Sequence, residues 1–200
     1  MRSLSWSWFQ WSSIAVIAGY APGAVAHHAM DGGVPETVLS GLLSGFGHPV
    51  IGFDHLFFVA AVGLVAVKNN RKFSLPLVFV GASLIGCALL VIGWTPPVIE
   101  WAVSVSLLVL GSILLLGKRR HAAVYWLLFA VAGWFHGAAY GKSILGAEST
   151  PLVAYFVGFA VIQYVIAVTM GTLAHQLWQT RQQLVVKIRF VGAAVLGAGT

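Results

Sequence analysis

His48-Pro49-Val50-Ile51-Gly52-Phe53-Asp54-His55 opens a long apolar run and puts two imidazoles and a carboxylate where hydrocarbon is expected. A helix needs about 20 consecutive apolar residues to cross a bilayer, and the run from Pro49 to Val67 is one of several of that kind. Of the 200 residues, 59% are hydrophobic and 8% are charged. Those proportions lie outside soluble globular composition and point to an integral membrane protein. The apolar runs are continuous rather than alternating, which argues against a barrel. The expected fold class is all-α: a polytopic transmembrane helical bundle of about six helices after a cleaved signal peptide.

Toward the amino terminus, residues 1–26 read as that signal. Arg2 is the only early cation, Ile14 to Gly19 forms a short apolar core, and Ala24-Val25-Ala26 fits a small-x-small cleavage site. The alternative is an uncleaved first helix truncated by Pro22 and Gly23. Residues 27–200 are then expected to form a single transmembrane domain. Cleavage after Ala26 would expose His27-His28-Ala29-Met30-Asp31, where a free α-amine beside two imidazoles suits a divalent metal. The competing reading is a polar leader. Glu36 to Phe46 suggests a helix too short to span. Gly45, Gly47 and Pro49 interrupt it, and Pro49 suits the first turn of the helix that follows. A helix broken at membrane depth is tolerated where its backbone is buried in protein or lines a cavity.

Toward the carboxyl terminus, spans are expected over Leu75 to Trp94, Val98 to Gly117, Ala122 to Tyr140 and Leu152 to Leu177, with a weak last one around Phe190 to Ala198. Lys68, Arg71 and Lys72 follow the first of the spans, Lys118-Arg119-Arg120 the third, and Arg181, Lys187 and Arg189 the fifth. The net charge of +6 is therefore a positive-inside signature, with no sign of a nucleic-acid partner. Those loops are expected in the cytoplasm of a bacterium. The turn at Pro96-Pro97, the loop around Glu148 and the mature amino terminus would lie outside the inner membrane. Trp94, Trp101, Trp126 and Trp178 near span ends fit interfacial anchors. Cys87 is the only cysteine, so a disulfide framework and a thiolate metal cluster are both excluded.

An ionisable side chain inside a span is costly and marks a functional site by default. Asp54 is the only acid set well inside an apolar run. His48 and His55 are two helical turns apart on one face, and Asp54 is offset from them by about 100°. One straight helix cannot aim all three at one ion: either the backbone unwinds near His48, or Asp54 is an acceptor that orients an imidazole of a neighbouring helix. His136 lies in Gly133-Trp134-Phe135-His136-Gly137-Ala138-Ala139-Tyr140-Gly141, about 6 Å below the outer end of its span at 1.5 Å per residue. Asp54 sits at a similar depth. The glycines at every fourth position permit close helix approach, and His136 at that seam would complete a site with His48, Asp54 and His55. The bland alternatives are a polar knot that fastens helices and a satisfied interfacial histidine. Gln163 and His175 are weaker candidates, and Tyr140, Tyr155 and Tyr164 read as packing or belt residues. Nitrogen and oxygen donors suit nickel, cobalt, zinc or iron. There is no Gly-x-x-x-x-Gly-Lys-Ser/Thr phosphate loop.

The His48-Pro49-x-x-Gly52-x-Asp54-His55 motif resembles that of the HupE/UreJ family of nickel and cobalt permeases. His136-Gly137-x-Ala139-x-Gly141 and the overall layout are similar to that family as well. The resemblance implies uptake of Ni²⁺ or Co²⁺, with His48, Asp54 and His55 handling the metal and His136 as a fourth residue. The expectation is a secondary permease without enzymatic activity or a tightly bound cofactor. Its partners would be a divalent transition-metal ion and membrane lipid, with homo-oligomerisation left open. A non-transporting metal-binding accessory protein and an intramembrane metal-dependent enzyme are the alternatives.

Overall fold

A computed structural model describes residues 33–116, 120–177, 192–195 and 197, and all regular structure among them is helical. The helices are α1 (Val38–Ile51), α2 (Phe53–Lys68), α3 (Ser74–Val91), α4 (Ile99–Leu116), α5 (Ala122–Gly141) and α6 (Ser149–Leu177), with a short 3₁₀ turn over Lys142–Ile144. Four helices are long and apolar enough to cross a membrane, and α1 with α2 makes a fifth crossing if the bent pair counts as one. The expected sixth crossing lies largely outside the described residues, as do residues 1–26, His27 and His28. Residues 192–195 are helical, and Val195 is buried in the main core.

The outer surface explains why these helices need lipid. Val153, Val157, Val161 and Val165 recur every four residues along α6 and are 61, 52, 47 and 49% exposed. A water-soluble domain does not carry so continuous an apolar face. On the other side of the same helix, Tyr155, Gly158, Phe159, Gln163, Ala167 and Gly171 are buried.

Small residues set the helix pairings. On α5, a Cβ at Gly133 would crowd the Phe79 carbonyl, and one at Gly137 would collide with the Ser83 carbonyl. On α3, Gly86 stands equally close to the Trp134 backbone. The glycine stripe read from the sequence is thus the α3–α5 seam, where backbone approaches backbone. A second seam runs along α6, with Gly41 against Pro151, Gly45 against Tyr155 and Gly63 against Ala167. The 29-residue α6 therefore braces α1 along its first half and α2 farther on.

The break between α1 and α2 differs from the sequence expectation. It falls at Gly52, and Pro49 lies inside α1 rather than opening the next helix. The two helices meet at 82°. Thr37 and Ser40 cap α1 reciprocally, so the helix starts firmly at Val38. Pro49 falls in its last turn and lacks the N–H that would donate to the Gly45 carbonyl. Gly52 then takes an extended conformation, φ −77° and ψ 101°. Its N–H still reaches the His48 carbonyl at 3.3 Å and its carbonyl accepts from Leu56 at 2.8 Å, so the corner keeps its backbone bonds. The span expected over Leu75 to Trp94 also stops earlier. Gly93 at φ 97° lets the Gly93 and Trp94 N–H groups turn back onto Leu90 and Leu89, which ends α3 at Val91.

Candidate metal centre

The corner at Gly52 starts α2 one residue before Asp54. That puts the carboxylate in the first turn, where the positive end of the helix dipole favours it. Asp54 is partly exposed at 42% of its side chain, whereas His55 is at 14%. His55 Nε2 lies 3.8 Å from Asp54 Oδ2. That is too long for a hydrogen bond. Two donors each about 2.1 Å from one ion lie at most about 4.2 Å apart, so the gap suits a shared metal better than a direct contact.

The other edge of the His55 ring meets α5. His55 Nδ1 is 2.8 Å from His136 Nδ1, a hydrogen bond that joins residues 81 positions apart. His136 is fully buried. Phe58 lies 4.4 Å and Phe79 5.8 Å from it between ring centroids. Its second nitrogen, Nε2, is 2.9 Å from Ser106 Oγ on α4. Both ring nitrogens of His136 are therefore engaged in this arrangement, and its link to Asp54 runs through His55.

His48 ends up on the far side of the corner, in the last turn of α1. Its Nδ1 is 3.3 Å from the Ser44 carbonyl. A donor role there makes Nε2 the acceptor atom of that ring. The His48 ring meets Tyr155 edge-on at 5.9 Å and Tyr140 at 6.2 Å between centroids. Tyr140 in turn lies 4.3 Å from the His55 ring, so one tyrosine touches both histidines. Its hydroxyl is buried and finds no hydrogen-bond partner among the described residues, and Gln163 Oε1 is in the same position.

Of the candidates from the sequence, Asp54, His55 and His136 form one chain of neighbours, and His48 joins them through Tyr140. Among the described residues, no three His, Cys, Asp or Glu side chains are grouped closely enough to hold an ion as they stand. Gln163 is buried on the stretch of α6 between the α1 and α2 seams, and donates to the Phe159 carbonyl at 3.3 Å. His175 is exposed. Sequence reasoning passed over Ser106, because an uncharged serine mid-span carries no signal by itself. It treated Tyr140 as packing, although Tyr140 lies one helical turn after His136 and so shares its face.

Three comparisons bear on the chain. A family model described as HupE / UreJ protein matches residues 15–200. Protein HupE of Rhizobium leguminosarum bv. viciae is 27% identical over 136 residues, which cover 66% of this chain and 71% of that protein. No solved structure matches.

Proposed function

The chain belongs to the HupE/UreJ family, and from that premise we propose that it is a secondary permease taking up Ni²⁺ or Co²⁺ across a bacterial inner membrane. The observation that carries this reading is the break at Gly52. It places Asp54 and His55 at a bend and sets His55 2.8 Å from His136 on another helix. Transporter folds use broken helices in this way, to bring ionisable groups and free backbone to a cargo site within the membrane. Asp54, still partly exposed, would receive the ion together with His55 Nε2, and His48 would meet it across the corner. His27 and His28 would capture it first from the external solution. A site with few protein ligands that leaves water on the ion binds loosely enough to release it.

The charge pattern supports the orientation. The Arg71 guanidinium lies 5.6 Å over Trp126, which brings the loop after α2 and the start of α5 to one end of the bundle. Lys142 and Glu100 pair at 2.5 Å and tie the other ends of α4 and α5 together. The first end carries the basic loops and is assigned to the cytoplasm. Asp54 and His55 stand at the opposite end of α2 from Lys68 and so face outward.

The decisive experiment is uptake of radioactive Ni²⁺ and Co²⁺ into liposomes holding the purified protein. Time-dependent accumulation that protein-free vesicles lack supports the permease. Metal binding without flux would replace it with an accessory metal-binding role.

A further inference from the structure

We infer that Ser106 is a positioning residue that fixes the proton arrangement of the His55–His136 pair, so that His55 turns an unprotonated Nε2 toward Asp54. The inference follows from counting protons along a chain of contacts. Ser106 Oγ stands 2.7 Å from the Val103 carbonyl and 2.9 Å from His136 Nε2. A carbonyl only accepts, and a hydroxyl has one proton to give. The shorter contact takes that proton, so His136 Nε2–H donates to the serine oxygen. A neutral imidazole carries one N–H, which leaves His136 Nδ1 as an acceptor. The 2.8 Å contact between the two Nδ1 atoms then needs its proton from His55. His55, protonated at Nδ1, presents a lone pair at Nε2, the atom 3.8 Å from Asp54.

The opposite arrangement would point a His55 Nε2–H at Asp54. A separation of 3.8 Å is too long for that bond, and the 2.7 Å bond from Ser106 to Val103 would be given up for it. Only an unprotonated ring nitrogen takes a transition metal, and the bond made by the other nitrogen decides which one is available. Ser106 is buried at 7% exposure and sits on α4, two hydrogen bonds away from the receiving atom. It acts through His136 and His55 without touching the ion. The inference rests on the permease reading only for its consequence in uptake.

The test is nitrogen-15 NMR of the full chain in liposomes, labelled at histidine. The His55 and His136 signals are assigned by their loss in His55→Gln and His136→Gln. The expected pattern is His55 protonated at Nδ1 and bare at Nε2, with His136 the reverse. In Ser106→Ala both rings should become mixtures of tautomers, and Ser106→Thr, which keeps a hydroxyl, should restore the pattern. In uptake, Ser106→Ala should raise KM for the metal by about 10- to 100-fold, with kcat less affected and Ser106→Thr near wild type. A wild-type His55 protonated at Nε2 overturns the inference, and so does a Ser106→Ala spectrum with unchanged tautomers. The expected pattern in a protein with no metal flux supports the inference and overturns the permease reading alone.

Discussion

Asp54 is a carboxylate in an apolar run, yet it is not sealed in the core, and that combination supports the proposed role of a cargo ligand over that of a structural polar group. A buried acid that fastens helices would be covered and hydrogen-bonded. Asp54 keeps 42% of its side chain exposed and stands 3.8 Å from His55. Asp54→Asn keeps the shape and removes the charge, so it should leave the fold intact and cut Ni²⁺ or Co²⁺ uptake by about tenfold or more. An Asp54→Asn variant that transports at the wild-type rate would sink the assignment. The contact partner of this region was legible in advance. Matching the depth of Asp54 from one helix end with that of His136 from another points to one level, and His136 bonds to His55 there. The serine behind His136 was not legible. Spans hold many serines satisfied by their own helix backbone, as Ser83 is by the Phe79 carbonyl at 2.9 Å, and sequence does not tell the two kinds apart.

At the scale of elements, the break in the first crossing was expected but its position was not. Proline is the strongest helix breaker by propensity, so Pro49 read as a helix start. In the last turn it still lacks the N–H that would donate to the Gly45 carbonyl, and α1 is held against α6 through Gly41 and Gly45 in spite of that. The corner moves to Gly52, where a side chain would crowd His55 and Asp54. A Cβ there would lie 2.9 Å from His55 Cδ2 and 3.2 Å from Asp54 Oδ1. The backbone angle at Gly52 suits any residue, so Gly52→Ala should spare thermal stability in detergent while it weakens uptake severalfold by displacing both side chains. If uptake and stability fell together, the corner would be only a folding device. The α3–α5 seam gives a matched pair of predictions. Gly137→Ala forces a methyl onto the Ser83 carbonyl, whereas Gly81 has nothing within 4 Å. Overpacking at Gly137 should cost about 1–3 kcal/mol. Gly81→Ala should be neutral or gain up to about 1 kcal/mol from helix propensity. Thermal unfolding of the two variants in one detergent compares them directly, and equal shifts would mean that the seam is looser than its backbone contacts imply.

At the scale of the whole molecule, the charges that orient the bundle also bear on what drives it. Among the described residues, Arg71 and Arg120 share one end, and the Asp54–His55 corner belongs to the other. Cys87 is buried, so an added surface cysteine can be labelled without background from it. Glu148→Cys should react with an impermeant thiol reagent added outside intact cells, and Asn70→Cys should react only after the cells are opened. The reverse pattern would invert the topology. Under the proposed permease reading, with no Gly-x-x-x-x-Gly-Lys-Ser/Thr loop in the sequence, the energy would come from the ion's own charge, from a second ion or from another subunit. Two positive charges moving inward down 100 mV release about 4.6 kcal/mol, at roughly 2.3 kcal/mol per charge. That is enough for about a thousandfold accumulation. If the metal crosses alone, an inside-negative potassium diffusion potential set with valinomycin should speed Ni²⁺ or Co²⁺ uptake into ATP-free liposomes. Reversing the potential should stop net uptake. Rates that ignore the potential and follow an imposed proton gradient would mean that protons leave as the metal enters, two for each ion. The Asp54–His55–His136 chain would then have to carry protons as well as bind metal.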